Sequence, residues 1–269
     1  MQRLPSLPSR HSQKRQRGVA LFVVIVFVML SMLLALWASR TSLFNEMVVG
    51  NDADYQRAFE AAQALLQDAE LDIRGQKADG SECIGTGSFC RTTGVKQIPL
   101  EAKEVSALLA DLEGIASGPR CDDGLCLKRT GRQDFWNNAS DTTTPGVDVT
   151  LDQMMVNTVG ARYGQYTGAE IGSASNPILK VGARGTVVDT GENANNKGGW
   201  YWIEVLPYDP DAANSALIAG GNNNLALNLD PNVVYRITAV AHGRKVSGTD
   251  TPVTRVVLQQ TYARQKLKD

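Results

Sequence analysis

One uninterrupted apolar run, VALFVVIVFVMLSMLLALWA from Val19 to Ala38, constrains this chain more than any other feature. It holds no charge and a single hydroxyl, Ser31. A helix rising about 1.5 Å per residue carries such a run across roughly 30 Å, the hydrocarbon thickness of a bilayer. Ahead of it, residues 1–18 carry Arg3, Arg10, Lys14, Arg15 and Arg17 and no acid. The basic flank marks the cytoplasmic side, so everything after Arg40 is expected across the membrane. A secretory signal fits poorly, because its apolar core is shorter and ends at a small-residue cleavage motif. No Ala-x-Ala pattern follows Ala38; the small residue, Gly18, precedes the run. Taken by themselves these residues describe an uncleaved signal-anchor.

The helical pattern does not stop at the membrane. From Thr41 to Arg74 there is no proline, and Phe59, Ala62, Leu65 or Leu66, Ala69 and Ile73 recur at steps of three and four. That spacing gathers them on one face, leaving Gln63, Gln67, Asp68, Glu70 and Asp72 largely elsewhere. AFEAAQALLQDAELDI is made of strong helix formers. Gly50-Asn51 is the weak point, where a kink or a melted turn is expected. Val19 to Arg74 therefore predicts one helix of roughly 80 Å, apolar in its first half and amphipathic in its second.

A basic leader ending in Gly, an apolar helix directly after it and an amphipathic continuation resemble a type IV pilin precursor. The wording RGVALFVVIVFVMLSMLL, TSLFNEM and RAFEAAQALLQDAE is similar to the N-terminal region of PilX-type minor pilins. It is also similar to GspK, the tip pseudopilin of type II secretion. A second echo lies in VVYRITAVAHG and TRVVLQQTYAR near the C-terminus. The resemblance implies that prepilin peptidase cuts after Gly18 and methylates the new amine of Val19. A glycine at the cut suits a protease that needs close approach to the backbone. It implies four segments: leader 1–18, membrane and filament-core helix 19–40, amphipathic helix 41–74, and an exported α+β head 75–269 with an antiparallel sheet packed on the helix. It implies a protein first of the inner membrane, head periplasmic, and then of the pilus fibre. The implied partners are other minor pilins, the major pilin, prepilin peptidase, the inner-membrane assembly platform and a tip adhesin.

One departure from the pilin pattern carries information. The fifth residue after the cut is Glu in most pilins and Val23 here, and no acid occurs between Val19 and Arg40. A carboxylate in a bilayer is costly and persists only with a partner or a function. In the family picture that Glu pairs with the terminal amine of the subunit inserted before it. A subunit without it needs no predecessor and still offers its own Val19 amine to the next arrival. That places this chain at or near a fibre tip. The plainer alternative makes Val23 a packing residue usable anywhere along a filament.

Cys83, Cys90, Cys121 and Cys126 all follow the membrane helix, on the oxidising side, where an even number reads as disulfides. Three pairings are possible and the sequence does not decide among them. The spacings invite two local loops, Cys83 with Cys90 and Cys121 with Cys126, each containing turn formers. Zinc is the alternative for four thiols, but Cys83-x₆-Cys90 is wide for a ligand pair. Residues 75–150 otherwise read as loops and short helices, with a helix at 101–112 ended by Gly114 and surface loop at 137–146. From about 155 the texture turns to strand, with the best runs at 199–206, 233–242 and 254–262. Val233, Tyr235, Ile237, Ala239 and Ala241 share one face of the second; Val256, Leu258 and Tyr262 share one face of the third. The polar stretch 243–252 predicts that these two form an antiparallel hairpin. Burying the apolar helix face against that sheet follows from layer packing.

Chemistry finds little foothold. Hydrophobics at 43% and charged residues at 20% support a sizeable core, and Lys+Arg 27 against Asp+Glu 28 gives no basic stripe for nucleic acid. The two histidines are His11, in the leader, and His242, in a strand. There is no G-x-S-x-G, H-E-x-x-H or P-loop. GQYTG at 164–168 and GENANNKGG at 191–199 read as turns. Asp209, Asp211, Asn222, Asn223, Asn224 and Asp230 offer oxygen ligands, although such residues are first of all turn formers and lack EF-hand spacing. The reading is a non-enzymatic minor pilin with no cofactor or metal, priming assembly and supporting adhesion and twitching motility. A secretion-tip pseudopilin and a membrane-anchored enzyme are the alternatives. Residues 75–150 are too short and loop-rich for the large helical insertion of the secretion protein.

Overall fold

Helix α1 runs from Arg17 to Arg74 without a break, through Gly50-Asn51. One glycine costs about 1 kcal/mol, too little to melt a turn that good helix formers propagate from both sides. The computed structural model describes residues 17–83, 89–91, 95–99, 101–116, 118–138, 149–170, 172–173, 176–177, 198–207, 233–247 and 251–264. The chain divides into two units between Asp52 and Ala53. Residues 1–16 with His11, the loop residues 139–146, the turn residues 191–197 and the oxygen-rich positions 209, 211, 222–224 and 230 lie outside the described residues.

The first unit is described from Arg17 to Asp52, all of it α1. The second unit begins with the remainder of α1, followed by α2 (Ala102–Glu113), the strands β1 (Cys121–Asp122) and β2 (Leu125–Leu127), a 3₁₀ turn (Phe135–Asn137) and α3 (Leu151–Met154). Then come β3 (Ala161–Arg162), β4 (Gly172–Ser173), β5 (Asn176–Pro177), β6 (Gly199–Pro207), β7 (Val233–His242), β8 (Val246–Ser247), β9 (Thr251–Pro252) and β10 (Arg255–Tyr262). The main sheet runs β1-β2-β6-β7-β10, with β3 added against β6. β7 and β10 form the expected antiparallel hairpin, in register from Arg255 opposite His242 to Tyr262 opposite Tyr235. The connection between them is not wholly loop: β8 and β9 pair as a short antiparallel ribbon within it.

The expected antiparallel sheet on the helix is present, with one parallel pair at its edge. β2 pairs parallel to β6, Leu125 opposite Ile203 and Leu127 opposite Val205. Part of the 75–150 segment is thus strand. A parallel pair requires a long crossover, and the whole stretch from 128 to 198 supplies it.

β6 shows why the sheet is covered on both faces. In GWYWIEVL, successive side chains point to opposite sides. Tyr201, Ile203 and Val205 join Val233, Tyr235, Ile237, Ala239 and Ala241 in the core that α1 closes with Ala58, Ala61, Ala62, Leu65, Leu66, Ala69 and Ile73. Val105, Leu108 and Leu112 of α2 complete it. Trp200 and Trp202 face the other way, into a second core with Phe135, Val149, Leu151, Met154 and Met155. There the Trp202 indole donates to the Met154 carbonyl at 3.1 Å and meets Phe135 edge to face at 5.1 Å. Each large side chain buried this way contributes about 1.5–3 kcal/mol.

Candidate functional site

The first unit presents a surface made almost entirely of hydrocarbon. Val19 is 67% exposed, Phe22 68% and Trp37 73%, and the large apolar side chains from Val19 to Val49 are all exposed. Even the hydroxyls turn inward: Ser31 donates to the Phe27 carbonyl at 2.7 Å and Thr41 to that of Trp37 at 2.9 Å. These back-bonds satisfy both hydroxyls within the helix, so the side-chain donor facing outward between Val19 and Ala38 is the indole N–H of exposed Trp37. Val23 sits on this surface as one more aliphatic residue, 43% exposed. α1 is long and apolar enough to cross a membrane, and the band fits a membrane anchor. Gly18 and Val19 lie in its first turn, where the backbone N–H groups have no intrahelical acceptors and fraying is cheap.

In the second unit the helix does something its polar pattern conceals. Asp54, Asp68 and Asp72 are at most 5% exposed, although Asp68 and Asp72 are expected away from the buried face. Loops fold back over that side of α1, and each carboxylate anchors one. Asp54 accepts the backbone N–H of Arg244 at 2.8 Å. Gly243 beside it has no room for a Cβ, which would land on the Asp54 carboxylate. Asp68 accepts the Gly164 N–H at 2.7 Å and the Thr167 hydroxyl, holding the GQYTG turn. Gly164 has φ +72°, and a Cβ there would overlap the Ala169 carbonyl, so this turn requires glycine. Burial pushes the Asp68 carboxyl up to about 6, against the hydrogen bonds from Thr167 and Gly164 that favour its charge.

Asp72 receives a two-pronged contact from Arg91, Nε to Oδ1 at 2.8 Å and Nη2 to Oδ2 at 2.7 Å, and the Tyr201 hydroxyl donates to Oδ2 at 3.0 Å. Arg91 also stacks 3.9 Å from the centre of the Tyr166 ring. Burial works against its charge, and Asp72 outweighs burial to hold the guanidinium above the ordinary arginine range. Burial likewise raises the Tyr201 and Tyr166 phenols. On the sheet, fully buried Glu204 binds Arg129 at 2.9 Å and Arg236 at 2.6 Å.

The cysteines close two short loops. Cys83 is bonded to Cys90, next to Arg91, and Cys121 to Cys126, which face each other across the β1–β2 hairpin. No free cysteine remains for zinc, and no His, Cys, Asp or Glu cluster suited to a metal occurs among the described residues. His242 is a buried strand residue, and burial, with Arg255 nearby, pushes its imidazole down to about 4. It sits at the end of β7, apart from any nucleophile–base arrangement among the described residues.

These features, an exposed apolar helix and a disulfide-stapled head wrapped around its continuation, belong to a subunit built to assemble. A family model described as Type IV pilus assembly protein PilX C-term matches residues 122–264, and one described as PilX N-terminal matches residues 17–67. The chain belongs to the PilX family of type IV pilus assembly proteins. The C-terminal match covers the sheet, both tryptophans of β6 and the Glu204 cluster, extending the likeness well beyond the N-terminal wording and the two C-terminal strands. Comparison with curated proteins and with solved structures returned no match. As a PilX-family member the chain is a type IV pilus assembly component. The anchoring aspartates were missed in the sequence because they read as the polar side of an amphipathic helix. Their signal was the spacing: Asp54, Ala58, Ala61, Leu65, Asp68 and Asp72 step by three and four along one stripe.

Proposed function

We propose that this PilX-family chain is a minor pilin that stands at or near the pilus tip and primes assembly. The observation that carries this is the uncharged stretch of α1 from Val19 to Ser39: Val23 occupies the position of the usual pilin carboxylate, and no acid occurs before Arg40. Such a subunit makes no demand on the amine of a predecessor, while its own Val19 amine, freed by prepilin peptidase after Gly18 and methylated, is available to a successor. The basic leader keeps the N-terminus cytoplasmic and the head periplasmic until the subunit is drawn out by the assembly platform. Segments 1–18, 19–40, 41–74 and 75–269 then serve as leader, membrane and filament-core helix, amphipathic helix and head. Its partners are other minor pilins, the major pilin and a tip adhesin, and through them it supports adhesion and twitching motility. The role needs no catalysis, metal or nucleic-acid contact. The test is deletion of the gene with immunogold labelling of the complemented strain. Deletion is expected to cut pilus number sharply while major pilin accumulates in the membrane, and label is expected at fibre ends in few copies. Uniform labelling along fibres at major-pilin abundance overturns the tip placement and leaves Val23 as a packing residue.

A further inference from the structure

Arg129, just after β2, has more donors than acceptors. Its Nη2 donates to Glu204 Oε2 at 2.9 Å and its backbone N to Oε1 at 3.1 Å. Its Nε and Nη1 are buried with no hydrogen-bond partner among the described residues, and so is the Nε of Arg120. The Arg129 side chain is only 5% exposed, with its guanidinium 4.2 Å over the Phe135 ring. Both arginines line one cavity with Cys121, Lys128, Thr130 and Met154. The charge is unbalanced as well as the hydrogen bonding. Arg236 also binds Glu204, so two guanidinium groups share one carboxylate. Burial, only partly offset by Glu204, pushes the Arg129 guanidinium below its ordinary range. A buried cation with idle donors is costly unless an anion supplies the missing acceptors.

The geometry points to a carboxylate-binding site in this cavity. Its interior, about 10 Å³, takes one oxygen-sized atom. A planar carboxylate can insert one oxygen between Arg129 and Arg120 and leave the other at the mouth, by exposed Lys128. With room inside for one oxygen, the cavity favours the planar group over a tetrahedral sulfate or phosphate, which would leave three oxygens at the mouth. The carboxylate is either an acidic side chain of a neighbouring subunit or a free small carboxylate. The first source rests on the assembly role proposed above, but binding itself can be measured on the isolated protein, so the two ideas fail separately.

The experiment uses the full-length chain in detergent micelles with ¹³C-formate as probe. Saturable broadening of the formate line is expected, reversed by acetate and not by sulfate. Arg120→Gln and Arg129→Lys should each weaken formate binding about tenfold, as loss of one charge-assisted hydrogen bond implies. Arg129→Lys keeps the charge facing Glu204, and near-ultraviolet circular dichroism of the tryptophan core checks that both variants fold. Absence of saturable binding, equal binding by both folded variants, or equal competition by sulfate overturns the site and leaves the cavity to water. Placing a benzoylphenylalanine photocrosslinker at Lys128 in piliated cells separates the sources. A crosslink to an Asp- or Glu-bearing segment of another subunit assigns the side chain. Formate binding without such a crosslink assigns the free carboxylate.

Discussion

Asp68 is a carboxyl group that the fold uses for shape at some cost in charge. It is 2% exposed and receives the Gly164 N–H and the Thr167 hydroxyl. Burial raises its pKa from 3.8 in the unfolded chain to about 6. An acid whose pKa is raised by folding favours the folded state at low pH. Between pH 4 and 6 the folded chain retains a proton that the unfolded chain has lost, so stability falls as pH rises through that window. The shift sets an upper bound of roughly 3 kcal/mol on this loss. Asp68→Asn keeps an acceptor for Gly164 and removes the titration. Urea denaturation of this variant should show a flatter profile between pH 4 and 6 than the parent chain. Identical profiles would mean that Asp68 is not the group responsible. Asp68→Ala should behave differently, costing about 1–3 kcal/mol at every pH because two buried donors lose their acceptor.

At the scale of elements, one disulfide closes a loop after α1 and the other staples the hairpin at the edge of the sheet. Cys121 and Cys126 are register partners in a hairpin whose second strand is held independently by its parallel pairing with β6. Closing a loop this short is worth about 2 kcal/mol on chain-entropy grounds. Cys121→Ser with Cys126→Ser should therefore lower the stability of the head by about that amount while leaving it folded, as read by denaturation midpoints. Non-reducing mass spectrometry of the parent protein should find no free thiol. Alkylation of all four cysteines in the native protein would remove both staples from the account.

The elements visible in the sequence were those with a period of their own. α1, α2, β6, β7 and β10 each carry a helical or alternating pattern long enough to stand alone, and β7 with β10 is a sequence-local hairpin. β2 is three residues long and finds β6 only through a distant crossover, so no local pattern announces it. The second core was hidden for a related reason. Trp200 and Trp202 signal a covered face, but Phe135, Val149 and Met154, which cover it, are scattered through loop-like sequence. The buried aspartates were hidden because burial of a helix face depends on which loops return to it, and a helix pattern contains no record of that.

At the scale of the whole molecule, the chain couples a surface that cannot stay in water with a head that can. Membership of the PilX family places that pairing in pilus assembly. Processing is the first consequence. On the processing proposed above, cleavage would depend on backbone access at Gly18 in the first turn of α1, so Gly18→Glu should leave full-length precursor in the membrane, seen by N-terminal sequencing, where the parent protein is expected to begin at methylated Val19. Intact Met1 recovered from assembled fibres would overturn the cleavage. Val23→Glu tests the logic of the uncharged stretch more directly. If the usual pilin carboxylate serves to find a predecessor, restoring it to a subunit that has none gives the group nothing to pair with. A carboxylate in hydrocarbon costs up to roughly 3 kcal/mol at the bilayer centre and less near its edge. The substitution should therefore leave pilus number unchanged or reduce it severalfold, counted by electron microscopy against equal expression of the head. More pili, or label moving from fibre ends into the shaft, would show that Val23 limits incorporation rather than directing it to the tip.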